Sequence, residues 1–273
     1  MFPFIEITEQ FKIPLYATIF MLGFFLAVIL ARKLAPSFCA TKEDVTYAAA
    51  YAAIGILIGS KVVYFITKLP NIVVKYDTFF KIIKESPLYA MQYAFGGFVF
   101  YGGLIGAIAA VWIYCKQYKV PFAPLVDIYA PLIPFVHAFG RIACFCSGCC
   151  YGKEYHGPFA VQFPYNEQIP ELSEVPRIPV QLIETCTNFI VFGVIFYLAK
   201  KKKMKSGQMM GIYLVYYSIA RFFLEMLRGD ELRGSISIFS TSQLISVLLL
   251  PIGIYLLSGK LENKSKGGLK DEM

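Results

Sequence analysis

Arg221, Glu225 and Arg228 fall at i, i+4 and i+7 in an otherwise apolar run, so a helix there sets one carboxylate between two guanidinium groups on a single face. Charge inside a membrane is expensive and is usually kept for function. Two readings fit the trio taken alone. One is a structural ion network with Arg228 reaching to the interface. The other is an anion site, because the planar guanidinium fork matches phosphate oxygens. Arg141, in a second apolar run, is the natural partner of Arg221: two arginines on facing helices would grip a phospholipid headgroup at membrane depth. His137 lies four residues before Arg141 on the same helical face, where an imidazole is either a packed helix histidine or a general base. Lys61, Asp127 and Glu184 are the other charges inside apolar runs.

The segment APLIPFVHAFGRIACFCSGCCYG, residues 130–152, is densest in such features. Pro131 and Pro134 loosen the helix start, and Gly140, Gly148 and Gly152 let backbone approach a ligand closely. Cys144, Cys146, Cys149 and Cys150 form C-x-C-x2-C-C. That spacing lacks the separated C-x2-C pairs from which one zinc ion collects four ligands. Small thiols packed at a helix end are the simpler reading, ahead of lining a substrate cavity, and no metal is expected. Seven cysteines make an odd count, which excludes a complete disulfide framework.

The elements that must carry these residues are set by composition. Hydrophobic residues make up 57% of the 273 and charged residues 16%, too apolar for a soluble chain of this length. Stretches of about 20 residues, long enough to cross a bilayer, occur near 13–31, 45–67, 94–115, 125–147, 180–199, 207–228 and 241–258. The fold class expected is all-α, a polytopic membrane protein of about seven transmembrane helices in one integral membrane domain, 1–273. Residues 148–179 would form a small extracytoplasmic cap, and 260–273 a polar cytoplasmic tail. The N-terminus lacks a basic region and a small-residue cleavage site, so 13–31 reads as a retained helix.

The net charge of +8 raises nucleic acid as a partner, but no nucleic-acid motif is present and the basic residues sit between apolar stretches, where they orient helices and meet anionic lipid. With the N-terminus outside, fourteen basic residues lie in inner segments and eight in outer ones. That favours N-out, C-in. The run KKKMKSG at 201–207 reads as a cytoplasmic topology anchor.

FGRIACFCSGCCYGK resembles the signature of prolipoprotein diacylglyceryl transferases, G-R-x-x-N-F-x-x-G-E-x-x-G, at Gly140, Arg141, Phe145, Gly148 and Gly152. VFYGGLIG at 99–106 is similar to the family's H-G-G-L-I-G block, PVQLIE at 179–184 to P-S-Q-L-Y-E, and RFFLEMLR at 221–228 to R-x-x-x-E-x-x-R. DIYAPLIPF at 127–135 and LYATIFMLGF at 15–24 also resemble family segments, so the likeness runs in order along nearly the whole chain.

The resemblance implies transfer of the diacylglyceryl group of phosphatidylglycerol to the lipobox cysteine in a prolipoprotein signal peptide. Glycerol phosphate leaves, at the outer face of a bacterial plasma membrane, among membrane lipids and without metal or organic cofactor. It implies that Arg141 and Arg221 contact the donor phosphate, that Glu225 and Arg228 order that site, and that Tyr16 lines it. Gly102 and Gly103 would shape the cavity, Cys144, Gly148 and Gly152 would belong to the substrate-binding signature, and Gln181 and Glu184 would sit near it. Lys61 stands where the family has Arg, keeping charge but losing the bidentate fork.

Three departures stand out. Tyr101 replaces the family's His, Cys144 its Asn and Cys149 its Glu. A phenol is a much weaker base than an imidazole, so the expectation is that Tyr101 orients the reacting groups and His137 takes over part of the histidine's role. Two other readings remain open: a paralogous phospholipid-dependent transferase with a different acceptor, and an anion transporter, for which no internal repeat is evident.

Overall fold

The computed structural model describes residues 4–8, 11–38, 40–165, 170–201, 204–229, 235–236 and 239–259. The tail from Lys260, and Lys202, Lys203 and Arg233 of the charge count, lie outside the described residues.

A short antiparallel hairpin, β1 (Phe4–Thr8) and β2 (Phe11–Pro14), leads into α1 (Leu15–Leu34), whose last turn carries Arg32 and Lys33 where cations favour the helix dipole. The long α2 (Lys42–Val74) starts on a capping box between Thr41 and Asp44. The helices α3 (Tyr76–Glu85), α4 (Pro87–Phe95) and α5 (Phe100–Tyr118) follow, then α6 (Phe122–Tyr129) and α7 (Leu132–Ser147). After the cap come α8 (Val180–Lys201), α9 (Gln208–Met226), the two-residue pair β3 (Ser235–Ile236) and β4 (Phe239–Ser240), and α10 (Thr241–Leu257).

Each of the seven apolar stretches is therefore helical, and the fold is an all-α membrane protein. Two stretches are broken: α4 and α5 meet at 80°, α6 and α7 at 41°. Pro131 stands directly before α7, where a missing N–H costs nothing and a helix cannot run straight through. By length and apolarity α1, α2 and α8 are long enough to cross a membrane, and five spans result if each bent pair is one. The expected seven are not all reached by that measure. α10 is short, at 17 residues, and α9 is diluted by the charges that make it interesting. Side chains such as Leu22, Phe25 and Ile29 on α1 and Leu57 and Ile58 on α2 are half or more exposed, as hydrocarbon solvent requires and water does not.

The chain divides into two compact units, 41–122 and the remainder. The first is built on the packing of α2 against α5. Gly55 and Gly59 face Gly102 and Gly106, and a Cβ on Gly59 would run into the Gly102 carbonyl. Paired glycines four apart let the backbones touch, the device by which membrane helices associate without a hydrophobic driving force. Lys61 donates to the Phe95 carbonyl at 2.7 Å and the Gly96 carbonyl at 3.5 Å, and sits 4.0 Å over the Phe98 ring. It thus caps the end of α4 at the break.

In the second unit α7 packs against α1 and α8, and α9 against α8 and α10. Asp127 accepts from the Gly207 backbone at 2.9 Å, fixing the turn before α9, where Gly207 is left-handed at φ 82°. That carboxylate serves the fold. The 148–179 segment has a core of its own, Tyr151, Phe163 and Leu172 packed with Phe145 and Val161. Backbone bridges tie it down at Gly152–Arg228, Glu154–Arg177 and Val161–Arg177.

Gly59→Leu should overpack the α2–α5 crossing and cost about 1–3 kcal/mol, read as a lowered unfolding midpoint of the purified protein in detergent. A midpoint equal to that of the unaltered chain would contradict the crossing.

Candidate functional site

Helix α7 presents His137, Arg141 and Cys144 at i, i+4 and i+7, and α8 answers with Gln181, Glu184 and Asn188, all buried. Glu184 is the hub. Its Oε2 lies 2.9 Å from Arg141 Nε and its Oε1 3.1 Å from His137 Nε2. Arg141 Nε donates to His137 Nε2 at 3.4 Å and is ion-paired with Glu184 Oε2. His137 Nε2 thus faces both Arg141 and Glu184, and Nδ1 is the ring atom that neither engages.

Helix α9 supplies the second arginine. Arg221 pairs with Glu225 one turn on and donates through Nη2 to Ser242 Oγ of α10 at 3.0 Å. Its Nη1 is buried and has no hydrogen-bond partner among the described residues. Arg228, just past α9, is 7% exposed, and its backbone pairs with that of Gly152. Arg141, Arg221 and Arg228 act on one another electrostatically, and Glu184 acts on the first two. Among the described residues the carboxylates of this cluster are Glu184 and Glu225. A buried guanidinium nitrogen without a hydrogen-bond partner is costly unless an acceptor completes it, and a phosphate oxygen beside Arg221 Nη1 would do so.

The signature glycines serve the backbone. Gly148 ends α7 in the left-handed conformation, φ 73°, and Gly152 packs so closely on Ile178 that a Cβ would meet its carbonyl. Gln181 Nε2 donates to the Cys149 carbonyl at 2.8 Å, fastening the turn after α7 to α8. Cys144, Cys149 and Cys150 bring their sulfur atoms within 4.8 Å of one another, and Cys150 has φ 62°. Hydrogen bonds from the Cys144 and Cys149 thiols, and then the Arg228 and Arg141 guanidinium groups, hold the Cys150 thiol well below the ordinary thiol range. Cys146 lies apart from the three, in a half-open apolar pocket with Leu15, Phe145, Val161 and Phe163.

Nearly all the residues expected at the site from this unit converge: Arg141, Arg221, His137, Glu184, Glu225, Arg228, Gln181, Cys144, Gly148 and Gly152. Tyr16, on the first turn of α1, is half-exposed and within electrostatic reach of Arg141 and the three thiols. Tyr101, Gly102, Gly103 and Lys61 belong to the 41–122 unit. There Gly102 and Gly103 are buried against α2, and Tyr101 is partly exposed, its ring edge-on to Phe100. Sequence reading missed Ser242 and the centrality of Glu184. Glu184 had a signal, as the carboxylate of an otherwise uncharged apolar run; Ser242 had none.

The family model described as prolipoprotein diacylglyceryl transferase matches residues 3–258. A phosphatidylglycerol--prolipoprotein diacylglyceryl transferase of Clostridium tetani (strain Massachusetts / E88) is 32% identical over 247 residues, 90% of this chain and 93% of the relative. The protein named phosphatidylglycerol--prolipoprotein diacylglyceryl transferase 2 of Clostridium perfringens (strain 13 / Type A) is 31% identical over 269 residues, 97% and 99% of the two chains. One from Rickettsia felis (strain ATCC VR-1525 / URRWXCal2) is 30% identical over 247 residues, 89% of this chain and 88% of its own. With the motifs in order along the chain and the arginine cluster assembled where the signature meets α9, this membrane enzyme belongs to the prolipoprotein diacylglyceryl transferase family.

Proposed function

We propose that the chain moves the diacylglyceryl group of phosphatidylglycerol onto the thiol of a lipobox cysteine in a prolipoprotein, as the names of its relatives describe for them. The observation that carries this reading is Arg221 Nη1, buried and with no hydrogen-bond partner among the described residues, in a cluster with Arg141 and Arg228. That arrangement fits a phosphodiester donor and, later, its phosphate leaving group.

In the reaction the acceptor thiolate attacks the glyceryl carbon bonded to the phosphate oxygen. A carbon–sulfur bond forms and the carbon–oxygen bond breaks, its electron pair leaving with glycerol phosphate. Arg141 and Arg221 stabilise the charge that builds on that oxygen. The thiol proton goes to the His137 imidazole, whose Nε2 lies against Glu184. Tyr101 enters through its place in the YGGLIG block, where the family resemblance sets a histidine. Neither step calls on a cofactor.

The site would face outward in a bacterial plasma membrane, with the N-terminus and the 148–179 cap outside and Lys200, Lys201 and Lys205 inside, in line with the excess of basic residues in the inner segments. The two units would work as a single membrane domain.

Purified protein, labelled phosphatidylglycerol and a lipobox peptide test the reading. Lipidated peptide and glycerol phosphate should appear in equal amounts. Glycerol phosphate without lipidated peptide would overturn it in favour of another acceptor. Arg141→Gln should lower the rate by about 100-fold or more, and Arg221→Lys, which keeps charge but loses the fork, by roughly tenfold to a hundredfold. Unchanged rates in both would remove the phosphate assignment. His137→Gln and Tyr101→Phe should each slow transfer, and undiminished rates in both would leave the proton-transfer assignment without support.

A further inference from the structure

The reaction proposed above assigns the thiols of Cys144, Cys149 and Cys150 no step, yet the fold brings them together at some cost. Cys144 is buried on the face of α7 that carries Arg141. Gly148 reverses the chain and Cys149 turns back, its sulfur 3.7 Å from the Cys144 carbonyl. Cys150 then adopts φ 62°, a left-handed conformation that favours glycine and that side-chain-bearing residues rarely take. The outcome is three sulfur atoms all within 4.8 Å of one another.

Three thiolates on one ion at about 2.3 Å stand roughly 3.8–4.0 Å apart, so a shift of about 1 Å or less closes the set. We propose that Cys144, Cys149 and Cys150 form a three-sulfur site for a thiophilic closed-shell cation of the Cu(I) or Zn(II) class. Soft thiolate donors select such ions over hard ones. Bound to three thiolates, a monovalent or divalent ion leaves a net charge of −2 or −1, and the guanidinium groups of Arg141 and Arg228, which already act on Cys150, offset it. Cys146, two residues from Cys144, points elsewhere and is no ligand. Occupancy would pin the 148–150 turn to α7, opposite the hold that Gln181 has on Cys149. The inference is independent of the transferase reading.

Reduced, full-length protein in detergent is titrated with Cd(II), following the cadmium–thiolate charge-transfer absorption and the unfolding midpoint. One equivalent per chain is expected, with a midpoint that rises on binding. Cys150→Gly removes the third sulfur while suiting the left-handed backbone, so it should fold as well as the parent and lose both signals. Cys146→Ser and Cys186→Ser should keep them. No absorption in the parent, or equal absorption in a folded Cys150→Gly variant, would overturn the proposal.

Discussion

A single buried carboxylate holds the functional unit together. Glu184 reaches Arg141 with one oxygen and His137 with the other, and its charge is felt at Arg221 on α9. Away from water, a carboxylate of this kind is stable only while its cationic partners remain, and each cation is stable only while the carboxylate does. The same constraint joins α7 to α8. The Arg221–Glu225–Ser242 arrangement repeats the principle one helix further on.

The departures from the family signature fall around this hub without breaking it. Cys144 and Cys149 stand where the signature has Asn and Glu, yet Gln181 still fastens the turn and Gly148 still ends the helix. The histidine expected before Gly102 is Tyr101, while His137 occupies the position on α7 that Glu184 can orient. In the proposed reaction the proton goes to this imidazole, which shares its helix face with the arginine assigned to the leaving group.

Much of this was legible in the sequence. The seven apolar stretches are all helical, because their length and composition leave the backbone no other way to satisfy its hydrogen bonds in lipid. The face shared by His137 and Arg141, and that shared by Arg221 and Glu225, follow from helical periodicity alone. What periodicity cannot give is contact between helices. Lys61 reads as a substrate-site cation standing where the family has Arg, and it is found on the Phe95 and Gly96 carbonyls. Gly102 and Gly103 read as cavity-shaping residues and are found where α5 crosses α2. The C-x-C-x2-C-C spacing gives no hint that three sulfurs converge, since the left-handed Gly148 and Cys150 that fold them back are conformational facts rather than compositional ones. The bends at 80° and 41° likewise depend on packing at the breaks, and they are why the count of straight spans falls short of the count of apolar stretches.

The central claim is that Glu184 acts through His137 and Arg141 as one unit. A double-mutant cycle on transfer rate, Glu184→Gln with His137→Gln, tests it most directly. The account predicts strong coupling, at least about 1 kcal/mol, with the double variant little slower than the worse single one. Losses that add, within about 0.3–0.5 kcal/mol, would show that the two residues act independently and would contradict it.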